Sequence, residues 1–279
     1  MRVITSVPVV CNFDRNLYMH RLTFFGSFTS FLFFFMHPCS SKSQPDSIPV
    51  KGYVLAWSDE FLGNVLDLGK WKYRNLGQRG DAWNDPGAVF LDGRGNLIIE
   101  ASYKNGKIQA GIIDTEHSFN TKYGYFECRA QLPKIKGIWP AFWLQSSTNI
   151  EGGDPIISGA EIDIFEYFHH ERRDTVSHTL HWGGYGKTHK VAGPVLGAMR
   201  KTPDDFHTFG LEWTPSSYKT YVDGVLTYSG ETNISGVAEF IVLSLEVNRA
   251  VAGPLDITHL PGRYIVDYVR VYKKNGLRN

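Results

Sequence analysis

Apolar and polar residues alternate with a period of two along many short stretches of this chain, and no stretch sustains the spacing of an amphipathic helix. The alternation predicts strands over residues 96–101, 123–132, 161–167, 176–182, 206–213, 217–222, 238–247 and 264–272, separated by Gly, Pro, Asn and Asp signals. Between YKTYV and VLTYS, Asp223-Gly224 supplies the two-residue turn of a tight hairpin, because both residues tolerate positive φ. So many short strands predict two packed antiparallel sheets, an all-β sandwich. Each sheet buries one face, which leaves an outer face free to curve into a groove suited to a long polymer.

Residues 22–36 (LTFFGSFTSFLFFFM) break the alternation with an apolar run too short to span a bilayer comfortably. Arg15, His20 and Arg21 precede it and a polar stretch follows, so residues 1–39 are expected to be a signal peptide. The protein is then secreted, or anchored at the outer cell surface or in the periplasm. Met19 opens a more typical signal than Met1 does. Cys39 resembles the lipidated cysteine of bacterial lipoproteins, although His37 and Pro38 fit that signal poorly; the alternative is cleavage and release. Residues 40–51 are a polar, proline-containing tether. Residues 52–275 are expected to form one domain, since nothing near the middle of the 279 residues has the composition of a linker. With the leader and Cys39 set aside, Cys128 stands alone, so no intramolecular disulfide framework is expected. Within the alternating YGYFECRAQLP it is expected to be a small buried residue.

The formal net charge is +1, from 29 basic and 28 acidic residues without a long run of either sign, which leaves no electrostatic footprint for nucleic acid. A neutral partner fits better. Carbohydrate is one, and the 14% aromatic content can stack on sugar rings as readily as it can fill a core. The expected state is a monomer acting on a polysaccharide.

The segment Glu161-Ile162-Asp163-Ile164-Phe165-Glu166 places three acids within six residues of an otherwise apolar strand. Side chains alternate across a sheet, so Glu161 and Asp163 share a face that strict alternation denies to Glu166. A β-bulge near Ile164-Phe165 restores Glu166 to the acid face. Like charges in a row repel, so the arrangement asks for a reason. Retaining glycoside hydrolysis supplies one, because it needs a carboxylate nucleophile and a carboxylic acid about 5–5.5 Å apart. A solvated strand face, or a calcium site of hard oxygens, is the alternative reading of the bare triplet.

The triplet resembles the signature of glycoside hydrolase family 16. The likeness continues through WSDEF at 57–61, LDLGKW at 66–71, GNLIIEA at 95–101, YGYFECRAQLP, GIWPAFWL at 137–144, HTLHWGGYG at 178–186, DFHTFGLEWTPSSYKTYVDG at 205–224 and VDYVRVY at 266–272. The resemblance implies a β-jelly-roll sandwich with a concave cleft, and residues 52–275 as its catalytic domain. It also implies Glu161 as nucleophile, Asp163 as assisting residue and Glu166 as acid/base, with no cofactor for catalysis. The extra residue before Glu166 resembles the bulged branch of laminarinases, agarases and carrageenases. Trp139 and Trp143 are implied as sugar-stacking residues, with a core role as the alternative; His178 and His181 precede a glycine-rich turn, and His181 is favoured as the histidine near the cleaved bond, with a structural imidazole as the alternative. Glu212 and Trp213 lie on opposite faces of one strand, and either could be the cleft residue. A structural calcium on the convex side is implied, with ligands resembling Glu60, Gly95 and Asp267.

Two departures bear on the substrate. Many β-1,3-glucanases of the family carry a cleft arginine where Ile112 stands, and a cleft amide where Ser244 stands. A single mismatched polar group can reject an isomeric sugar. The expected activity is endo-hydrolysis of a β-1,3- or β-1,3/1,4-glucan with retention. A galactan of the agar, porphyran or carrageenan type, or transglycosylation, is the alternative. A binding module that has lost turnover would show substitutions in the acid triplet, and all three acids are present.

Overall fold

The computed structural model describes residues 48–168 and 174–276; the apolar run, Cys39 and the start of the tether lie outside the described residues. Two sheets stack as a β-jelly-roll sandwich. The outer sheet runs Val225–Gly230, Tyr218–Val222, His207–Trp213, Gly124–Gln131 and Gly262–Lys274 in hydrogen-bonded order. The far edge of that last strand is shared by Leu97–Lys104 and Tyr53–Asp59. The inner sheet runs Lys190–Ala198, Thr175–Trp182, Glu161–Glu166, Trp139–Gln145, Glu239–Glu246 and Lys107–Asp114, with Lys72–Tyr73 at its edge. A hairpin formed by Leu97–Lys104 and Lys107–Asp114 carries the chain from one sheet to the other.

Period-two patterning places each predicted strand within a few residues of its observed position. The reason is visible at Asp223-Gly224, where φ values of +50° and +72° make the predicted turn and pair Val222 with Val225. The α-helices among the described residues, Pro155–Ser158 and Arg249–Ala252, are single turns.

The core lies between the sheets. Phe126, Phe142, Phe165, Phe209, Trp213, Ile241 and Leu243 are all fully buried there. Each such side chain contributes about 1.5–3 kcal/mol by leaving water. Cys128 is buried and free, within 3.7 Å of the Tyr264 hydroxyl. Burial pushes its thiol well above the usual range, so it packs as a small apolar group.

Candidate active site

The acids stand on the central strand of the inner sheet. Glu161 lies opposite Gln145 and Asp163 opposite Trp143, and then the register shifts, so that Phe165 faces Phe142 and Glu166 faces Ala141. Ile164 is the extra residue of a bulge. Ile164 and Phe165 both enter the core, where the Phe165 ring centroid lies 4.1 Å from that of Phe209. Two successive inward side chains are what return Glu166 to the face of Glu161 and Asp163.

On that face the three carboxylates have unequal surroundings. Glu161 is supported by donors: the Tyr185 hydroxyl donates to Oε2, the Gln145 amide approaches the same oxygen at 3.4 Å, and His181 Nε2 lies 3.9 Å from Oε1. Burial raises its pKa, while the Tyr185 hydrogen bond and the His181 charge act against the rise. Asp163 is held well above the usual carboxylate range by burial and by the charges of Glu161 and Glu246; His181 Nε2 sits 3.3 Å from it. Glu166 is also pushed well above its ordinary value, first by burial and then by Asp163, and a hydrogen bond from Thr179 Oγ1 at 3.0 Å opposes the rise. The carboxyls are therefore unequally supported, Glu161 by several donors and Glu166 mainly by burial, an asymmetry of the kind that retaining glycosidases need.

The cleft floor is built from the same side of neighbouring strands. Trp139, Ala141, Trp143 and Gln145 share the parity that faces the acids, so both tryptophans belong to this face, with Trp139 half-buried beside Phe168. Trp143 Nε1 donates to Ser244 Oγ at 3.1 Å. The serine stands on the cleft face opposite Ala141, its hydroxyl covered by the indole. Ile112 packs with Trp143, Ala141, Phe240 and Val242 as an apolar patch. Arg74 enters beside it. Its guanidinium lies over Phe240 at 5.1 Å, pairs with Asp114 at 3.1 Å and donates to Gln145 Oε1. At the opposite end Arg79 holds Glu246 through two hydrogen bonds of 2.6 and 3.1 Å. His181 stacks on His189, whose ring also neighbours Tyr185, forming an aromatic wall beside Glu161.

Three expectations change. Trp213 is wholly buried, edge-on to Tyr123 and packed on Phe126 and Tyr218 in the core. Glu212, one residue earlier on the outer sheet, accepts from the Tyr53 hydroxyl at 3.1 Å and faces Lys219. Neither reaches the cleft, because their strand belongs to the other sheet. The third change concerns calcium. Arg270 donates twice to Glu60 at 2.8 Å, and Arg129 donates to Asp267 at 2.6 Å. The side chains expected to ligate a cation are committed to guanidinium groups, and Gly95 occupies a turn at φ +89°. As placed, these side chains fit two ion pairs better than a hard cation.

Some site residues escaped the sequence reading. Gln145 and Thr179 carry a usable signal, since each lies two residues from a cleft residue on the same strand. Arg74 and Tyr185 carry none, because they reach the site from an edge strand and a glycine-rich loop.

A strand that presents one carboxyl held by several donors and two others held mainly by burial, at the base of an aromatic-walled cleft, is the site of a glycosidase. The sequence profile of glycosyl hydrolases family 16 matches residues 83–269, and the chain belongs to that family. It is 29% identical to a beta-glucanase of Rhodothermus marinus, over 88% of this chain and 94% of that one. It is 31% identical to a glucan endo-1,3-beta-glucosidase of Cryptopygus antarcticus, over 80% and 93%. Among solved structures, the laminarinase catalytic domain of Thermotoga maritima superposes with a TM-score of 0.67 at 30% identity, covering 80% of this chain and 99% of that one. The enzyme is an endo-acting glycosidase.

Proposed function

We propose that this enzyme hydrolyses internal bonds of a β-1,3- or β-1,3/1,4-linked glucan with retention of configuration. The observation that carries the reading is the bulge that sets Glu161, supported by Tyr185 and Gln145, on one face with the buried Glu166. Glu161 attacks the anomeric carbon while Glu166 protonates the departing oxygen; the glycosyl–enzyme ester is then opened by water that Glu166 deprotonates. Asp163, between them, acts on both through its charge, so the group titrates as a set. Trp139 supplies a stacking surface, and the Arg74–Gln145 contact sets polar groups beside the nucleophile.

Glu161→Gln keeps the side-chain shape and removes the attacking oxygen anion. It is expected to abolish reducing-end release while retaining binding in affinity electrophoresis. Turnover near the wild-type rate would overturn the assignment. The engagement of the Ser244 hydroxyl by the Trp143 indole and the apolar Ile112 favour a second substrate reading, a galactan of the agar, porphyran or carrageenan type. A panel of laminarin, lichenan, agarose, porphyran and carrageenan separates the two. Products longer than the donor would instead identify transglycosylation. The apolar leader and Cys39 support export as a monomer, either anchored by lipid or released; loss of membrane association in Cys39→Ser tests the anchor.

A further inference from the structure

His178 is the histidine of HTLHWGGYG that does not enter the cleft. It sits on the core side of the Thr175–Trp182 strand and is 3% exposed. Its Nδ1 lies 2.6 Å from the carbonyl oxygen of Ile164, the residue that finds no opposite in either neighbouring strand. A carbonyl can only accept, so Nδ1 carries the hydrogen and Nε2 is the acceptor. Nε2 meets Thr227 Oγ1 at 2.9 Å, and that hydroxyl lies 3.1 Å from Thr220 Oγ1. Thr227 and Thr220 belong to the outer sheet, on Val225–Gly230 and Tyr218–Val222. A hydrogen-bonded chain therefore crosses the sandwich and ends on the extra residue of the catalytic bulge.

Two further observations fit a built contact. A β-carbon on Gly197 would lie 2.5 Å from His178 Nε2, so the adjacent strand leaves the imidazole its space by lacking a side chain. The residues on either side of His178 grip the same segment from the cleft face: Ser177 Oγ donates to the Glu166 carbonyl at 3.3 Å and Thr179 Oγ1 to the Glu166 carboxyl at 3.0 Å. Burial lowers the imidazole pKa to about 4, so above that pH the ring is neutral and keeps this hydrogen arrangement.

We propose that His178 is a positioning residue for Glu166, fixing the bulge through the Ile164 carbonyl so that the acid reaches the glycosidic oxygen. It touches no substrate and exchanges no proton with it. This rests on the assignment of Glu166 as acid/base, and the test keeps the two claims separate.

The assay compares kcat/KM on the polysaccharide, whose leaving group needs protonation, with kcat/KM on a dinitrophenyl oligosaccharide, whose leaving group does not. In Glu166→Gln the polysaccharide value falls by about 10²–10⁴ while the aryl value changes far less; equal losses would overturn the Glu166 assignment itself. His178→Gln keeps an amide near Thr227 but loses the Ile164 bond, whereas His178→Asn places an amide N–H near the Nδ1 position. His178→Gln is expected to lose at least about tenfold on the polysaccharide and under about threefold on the aryl substrate, and His178→Asn to recover most of that loss. Gly197→Ala, which crowds the ring without removing it, is expected to show the same asymmetry and provides a second route should His178→Gln not fold. If the folded variants lose both activities equally, or neither, while melting temperature alone drops, His178 is only a packing residue and the proposal fails.

Discussion

The hydroxyl of Tyr185 donates to the carboxylate oxygen of Glu161 that Gln145 also approaches, so a residue of an exposed loop completes the environment of that carboxyl. Hydrogen bonds to the charged form lower a carboxyl pKa, and here they oppose the rise that burial imposes. Removing the donor in Tyr185→Phe should raise the Glu161 pKa and move the acid limb of the kcat/KM profile to higher pH. The Tyr185 side chain is more than half exposed, so the fold should survive. The expected loss in the neutral range is about ten- to a hundredfold, the worth of one hydrogen bond to a charged group at about 1.5–3 kcal/mol. A pH profile superimposable on the wild type would exclude this role.

Glu239 provides a test of stability that does not pass through catalysis. It is fully buried, accepts from the Ala160 N–H at 3.0 Å, and burial pushes its carboxyl up to about 8. The folded state then binds this proton more tightly than the unfolded state. The associated stability is fully present below the ordinary carboxylate value of 4.5 and is lost as pH rises through about 8. Glu239→Gln keeps an acceptor for Ala160 and removes the proton. Its melting temperature relative to wild type should therefore improve between about pH 5 and about pH 8. A constant difference across that window would show that the proton is not linked to folding.

The two kinds of tryptophan should separate cleanly. Trp213→Ala empties a core position and is expected to cost about 3–5 kcal/mol in denaturant unfolding, with KM unchanged in the folded fraction. Trp139→Ala should leave stability close to wild type and raise KM about tenfold, the value of one stacking contact of roughly 1.4 kcal/mol. The reverse pattern would return Trp213 to the cleft.

Glu60 and Asp267 already have guanidinium partners at 2.8 and 2.6 Å. Chelation by EDTA is accordingly expected to shift the melting temperature by less than about 2 °C, since removing a ligand destabilises only to the extent that it binds the folded state. A larger fall, restored by calcium, would show that a cation displaces these pairs or uses other oxygens nearby.

Much of the fold was legible because period-two patterning is a local property, as the strand at 161–167 and the turn at Asp223-Gly224 illustrate. The acid triplet was legible too, and its odd spacing announced the bulge. Trp213 and Glu212 were not, because alternation tells which residues share a face but not which of two sheets the strand joins. Arg74, Tyr185 and Arg79 were hidden for a related reason. Their contacts join residues 71, 24 and 167 positions apart, and no local signal encodes such a closure.

Phe165 spends its side chain in the core against Phe209 and, edge-on at 5.9 Å, against Tyr264. The reach of the acid is thereby tied to the shape of a cavity that no sugar enters. Selection for faster turnover or for a new polymer would not be confined to the groove: changes at Phe209 or Tyr264 would register in the chemistry, and compensating changes for a damaged cleft are to be sought there, one sheet away.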